Sequence, residues 1–174
     1  RAYNRSDGTI GASSGEFRFA GKAPQQFSCG SGFSVANLRI ANPFSVAKNA
    51  GSDPIIVTKT LDLSDGVLTF DPGTIIIESG ATLIRRKSSA TVSSSLSFRA
   101  SANVSYLIDP ANGILRTGPE LPTDPGVLAS LRVSNPHTAP DSALVILTRD
   151  VKVNQSLYLE AGGIDLGGSK LTLA

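Results

Sequence analysis

Apolar and polar residues alternate along this chain in short runs. TLDL (60–63), VLTF (67–70) and ATLI (81–84) are separated by Asp, Gly, Pro or Ser, and so later are RDVKV (149–153), SLYL (156–159), GIDL (163–166) and KLTL (170–173). Apolar residues fall at every second position: Leu61 and Leu63, Val151 and Val153, Leu157 and Leu159, Ile164 and Leu166, Leu171 and Leu173. A period of two puts those side chains on one face of a strand, with Asp62, Lys152, Tyr158, Asp165 and Thr172 facing the other way. No stretch of a dozen residues keeps helical spacing without a Gly or Pro breaking it. The chain is expected to be all-β.

From residue 149 onward strand follows strand across short linkers that hold Gly, Asn or Ser. Short strands at close, even spacing suit a sandwich, a barrel or a solenoid. Hairpin sandwiches favour Asn-Gly and Asp-Gly turns, and among the strand-like runs only Asp65-Gly66 and Asn112-Gly113 supply one. The expected fold is a parallel β-helix (β-solenoid) of short strands, with a β-sandwich as the alternative.

An internal repetition favours the solenoid. ANLRIANP (36–43) returns as ASLRVSNP (129–136), five of the eight positions identical. Leu38/Leu131 and Ile40/Val133 would point inward and Arg39/Arg132 outward, with Asn-Pro closing the strand at a corner. The stretch 55–77 also lines up with 145–166, pairing Val57 with Leu147, Leu61 with Val151 and Gly73 with Gly162. Region 36–84 therefore recurs loosely as 129–173, as expected of units that bury their apolar faces by stacking on neighbours. Each copy is small for a separate core, so 1–174 is read as a single solenoid domain, with 1–14 as an N-terminal arm or linker.

Composition adds limits. Hydrophobic residues make up 40% and charged residues 17%, with 17 Gly, 10 Pro and neither Met nor Trp. A net charge of +2 without a basic block gives no reason to expect nucleic acid. No apolar run reaches the roughly 20 residues of a membrane-spanning helix. The missing Met suggests processing at the N-terminus or excision from a longer chain. Cys29 is the single cysteine, expected as a small buried hydrophobe.

GEFRFAGKAPQQFSCGSGFSVANLRIANP (15–43), VNQSLYLEAGGIDLGGSKLTL (153–173) and the connecting RTGPELP (116–122) resemble the β-solenoid repeats of large secreted surface proteins and adhesins of the Bacteroidetes and Chlorobi groups. The basic, serine-rich 85–101 and the proline-rich 135–143 depart from that cadence. With no catalytic signature legible, neither an enzyme nor a cofactor is expected, and the chain is read as a stacking unit of a fibre, sheath or adhesin stalk; the resemblance implies a secreted, cell-surface protein. It also suggests an O-glycan acceptor of the form Asp-Ser-small, which DSA (141–143) matches at Ser142.

Other candidate chemistry has plainer alternatives. Asp62, Asp65 and Asp71 could be the acids of a polysaccharide-cleaving β-helix, since glycosidases need paired carboxyls; Asp65-Gly66 reads more simply as a turn. GGIDLGG (162–168) is similar to a calcium-binding nonapeptide but lacks its middle glycine and consecutive copies. His137, the one histidine, lies in a proline-bounded loop without a metal-ligand partner in sequence. The RRK run, Arg85, Arg86 and Lys87, joins Arg39 and Arg132 as candidates for surface or inter-subunit contacts, surface polysaccharide included.

A solenoid's terminal coil leaves unpaired backbone groups and an apolar cross-section, and KLTLA (170–174) carries no polar cap. Coils of about 22 residues rising about 4.8 Å would give seven or eight turns. The expected partners are copies of the same chain stacked head to tail, or adjoining segments of a longer one.

Overall fold

The computed structural model describes residues 15–49, 51, 53–72, 74–124, 126–139 and 143–174. It is a parallel β-solenoid of about seven turns, with no helix among the described residues. Every strand pairing among the described residues is parallel, and the strands fall on three faces.

The first face is the longest ladder. It stacks β1 (Glu16–Phe19), β3 (Ser34–Ala41), β5 (Ile55–Asp65), β8 (Thr82–Arg85), β11 (Ala102–Leu107), β13 (Leu128–Ser134) and β16 (Ser156–Ala161). The second face carries β2 (Gln25–Phe27), β4 (Val46–Lys48), β6 (Val67–Thr69) and β9 (Thr91–Val92), and then β12 (Leu115–Arg116), β14 (Leu144–Ile146) and β17 (Gly163–Asp165). The third face begins with the leading residues of β3 and β5, paired Val35 to Val57, and continues through β7 (Ile75–Ile77) and β10 (Ser97–Phe98). It resumes at β15 (Val151–Val153) and β18 (Leu171–Leu173). Register shifts between Val35 and Asn37 show how β3 turns from the third face onto the first without ending. We number the coils by their first-face strand, coil 1 at β1 to coil 7 at β16.

Parallel register stacks like residues into columns. One inward column on the first face runs Phe17, Leu38, Leu61, Leu83, Val104, Leu131, Leu157. Its neighbour, two residues on, runs Phe19, Ile40, Leu63, Arg85, Tyr106, Val133, Leu159. The apolar members from coil 2 to coil 6 are fully buried. The first coil adds aromatic packing: Phe17 meets Phe19 edge-on at 5.1 Å, and Phe19 lies 4.8 Å from Phe27. Cys29 is buried there, its thiol donating to the Asp53 carbonyl at 3.0 Å.

The repeated phrase occupies the same place twice, on the first face and the corner after it, in coils 2 and 6. Leu38/Leu131 and Ile40/Val133 point inward, as alternation requires. Asn42 and Asn135 are fully buried at the corner. Asn42 Nδ2 donates to the Ala23 carbonyl at 2.8 Å and to Gln25 Oε1 at 2.9 Å, one coil below; Asn135 Nδ2 donates to the Gly113 carbonyl at 2.8 Å. Each Oδ1 accepts a backbone N–H two residues on, from Phe44 and from His137, so the side chain closes its own turn while tying two coils together. On the opposite side each corner meets a left-handed glycine of the next coil: Gly66 (φ 78°) over Asn42 and Gly162 (φ 71°) over Asn135.

The longer alignment behaves differently. Val57 lies on the third face but Leu147 follows the second-face strand β14, and Leu61 and Leu63 lie on the first face but Val151 and Val153 on the third. Beyond the corner phrase, 55–77 and 145–166 share a cadence and occupy different faces. The glycine structurally equivalent to Gly162 is Gly66; Gly73 is outside the described residues.

Candidate functional site

The outer side of the first face gathers most of the charged residues singled out from sequence. Arg39 donates from Nε to Ser64 Oγ at 3.0 Å, with Asp62 at 3.9 Å and Glu16 at 4.0 Å. Asp62 is buried between two coils: Arg86 Nε reaches both its oxygens at 3.1 Å, and Ser64 Oγ donates to Oδ1 at 2.9 Å. Lys87 pairs with Asp65 at 3.0 Å. Arg132, more exposed, pairs with Glu160 at 2.7 Å. The two acids considered for glycoside cleavage, Asp62 and Asp65, are thus each tied to cations of the next coil, and Gly66 N–H donates to Asp65 in the turn expected there.

Arg85 departs from the expectation of a surface charge. Alternation from Leu83 sends it inward, into the column between Leu63 and Tyr106, where it is buried. Its Nη1 donates to Glu120 Oε1 at 2.7 Å and to the Arg116 carbonyl at 2.9 Å; Nη2 donates to the Ser88 carbonyl at 2.9 Å. Glu120 is fully buried, and the same Oε1 accepts from Tyr106 OH and from Gly118 N–H, both at 3.0 Å. Burial first, and then the neighbouring Glu120 carboxylate, push the Tyr106 phenol well above its ordinary range, so it stays protonated and donates. This charged knot pins the segment after β12 to coil 4.

Burial alone would raise the Asp65 carboxyl, but hydrogen bonds from Lys87, Ser89 and Gly66 N–H and the Lys87 charge outweigh it and hold the group below its usual 3.8. A carboxyl depressed in the folded state contributes stability that is present above the unfolded value and lost as pH falls through the folded one. Asp65→Asn should therefore lower the unfolding temperature at pH 7 and reduce its further loss below pH 3.8, as checked by thermal melts across that range.

The remaining sequence candidates occupy turns. Asp71 receives the Thr74 N–H on its carbonyl at 3.2 Å, and Asp165 Oδ1 accepts the Gly167 N–H at 2.9 Å. His137 Nδ1 receives the Ala139 N–H at 3.2 Å. Ser142 lies outside the described residues. Among the described residues no three His, Cys, Asp or Glu side chains are placed to hold a metal ion.

The chain matches no protein family, no curated protein and no solved structure.

Two surface features stand out. Among the described residues coil 5 places no strand on the third face and β10 is paired on one side only, and a notch of about 240 Å³ opens between Leu96, Phe98, Pro122 and Val127. Coil 7 is paired on one side along all three of its strands, and Leu159, Leu166 and Leu173 are exposed there. Leu159 is 55% exposed, whereas Val133, its column neighbour one coil below, is completely buried. Sequence alternation could have located Arg85 and Tyr106 in the core, since both follow inward residues by two; Glu120 and the notch carry no periodic signal.

Proposed function

We propose that this chain is an extracellular structural protein, a stacking β-solenoid unit of a cell-surface fibre, sheath or adhesin stalk. The unbroken ladder of the first face carries this reading: two inward columns run in parallel register through all seven coils, the arrangement by which stacked units bury one another. At coil 7 Leu159 and Leu173 are exposed, a surface that adjoining coils of a longer chain or coil 1 of a second copy would cover. In coil 1 of a second copy, Phe17 and Phe19 occupy the next positions in the same two columns, so a head-to-tail contact would extend every ladder in register. A heterologous contact of that kind propagates into a filament rather than closing. The likeness of the strand cadence to secreted Bacteroidetes and Chlorobi surface-protein repeats supports the extracellular, adhesin-stalk part of the reading.

Sedimentation velocity from micromolar to millimolar chain tests the assembly. The wild type is expected to grow with concentration, and Leu159→Lys/Leu173→Lys to remain a monomer with an unchanged β-sheet circular dichroism spectrum. Identical, concentration-independent sedimentation of both would overturn the proposal.

A further inference from the structure

Tyr158, Arg132 and Glu160 line a shallow groove of about 160 Å³ on the outer side of the first face. Arg132 and Tyr158 are register partners on adjacent strands, and Tyr158 is 52% exposed, the only described tyrosine in that state, since Tyr106 is buried. Glu160 holds Arg132 through one nitrogen: Nη2 lies 2.8 Å from Oε2 and 2.7 Å from Oε1. The guanidinium's Nε and Nη1 make no hydrogen bond to the described residues. The carboxylate, acceptor-only with about four lone-pair sites, keeps acceptor capacity beyond that one donor.

We propose that this groove binds one neutral hexopyranose ring. The opposite charges compensate each other, so the pair has little net call for an ionic ligand, yet it presents spare donors beside spare acceptors. Neighbouring hydroxyls of a sugar, each both donor and acceptor, match that arrangement. The phenol ring supplies a flat apolar surface whose negative face attracts the weakly positive C–H hydrogens of a pyranose. The groove is well below the few hundred Å³ of a drug-sized site, which suits a single ring. A contact this small binds weakly, in the millimolar range. The groove and the stacking edge share β16, and a copy stacked in register would bring its Arg18, the coil 1 member of the same outer column, beside Tyr158, so binding is measured at a dilution where the chain sediments as a monomer.

The chain has three Tyr and no Trp, so its tyrosine ring signals are few and can be followed by NMR during titration with the methyl β-glycosides of glucose, galactose and mannose. At least one is expected to shift the Tyr158 ring saturably, while sodium glucuronate binds no more tightly. Tyr158→Phe should stay within about twofold of wild type, Tyr158→Ala should weaken binding at least about tenfold, and Glu160→Gln severalfold. Each variant's backbone spectrum reports whether it folds. Absence of saturable shifts with all three glycosides, tighter binding of glucuronate, or equal loss in Tyr158→Phe and Tyr158→Ala would overturn the assignment.

Discussion

Glu120→Ala should lower the unfolding midpoint by roughly 10 °C. Removing one partner of a buried ion pair leaves the other charge uncompensated, at a cost of about 3–5 kcal/mol, and a chain of this length loses about 2–4 °C per kcal/mol. Arg85 would keep its bonds to the Arg116 and Ser88 carbonyls, but its counter-charge and the acceptor for Tyr106 and Gly118 would be gone. The double variant Arg85→Met/Glu120→Leu should recover part of that loss, because apolar replacement of a whole buried pair is often neutral, while Tyr106 OH and Gly118 N–H still lack their acceptor. Differential scanning calorimetry of the two singles and the double gives the coupling. A single-variant loss below about 1 kcal/mol, the range of an exposed pair, would contradict the buried placement of Arg85.

Gly66→Ala is expected to be comparably damaging for a different reason. A Cβ at Gly66 would collide with the carbonyl oxygen of Asn42 and come within 2.8 Å of its carbonyl carbon, both backbone atoms of the coil beneath. The residue also sits at φ 78°, where an L side chain costs about 1–2 kcal/mol even without a neighbour. With overpacking added, the loss should reach about 3–5 kcal/mol. Gly80→Ala is the natural control: its φ is 75° but nothing lies within 4 Å of a Cβ there, so only the backbone cost should appear. Chemical denaturation of both separates the two causes, and equal losses would mean that the coils do not touch at this corner.

The two glycines also show where sequence reading succeeds and stops. Alternation of apolar residues placed Leu38, Leu61, Leu131 and Val133 in the core and called for short, stacked strands, because a period of two is a property of each strand by itself. The Asn-Pro corners were legible as strand ends for the same local reason. The hydrogen bond from Asn42 to Ala23, and the fit of Gly66 against Asn42, depend on how many residues each coil holds, and local pattern does not encode that. All three faces use the same Leu, Val and Ile alternation, so an alignment of 55–77 with 145–166 slips by one face at no apparent penalty. At Arg85 the period was correct and the chemistry misled: two further cations in RRK suggested a solvated turn, while the inward partner, Glu120, lies in GPELP where no alternation marks it. The groove at Tyr158 needs three side chains from two coils, of which the sequence marks Arg132 as a candidate contact and Tyr158 only as outward-facing.

Negative-stain electron microscopy of the chain at high concentration is the most direct test of a stacking structural unit. The expected result is straight, unbranched rods of constant width whose length grows with concentration and which vanish in Leu159→Lys/Leu173→Lys. Isolated compact particles at every concentration, with no end-to-end contact, would contradict it.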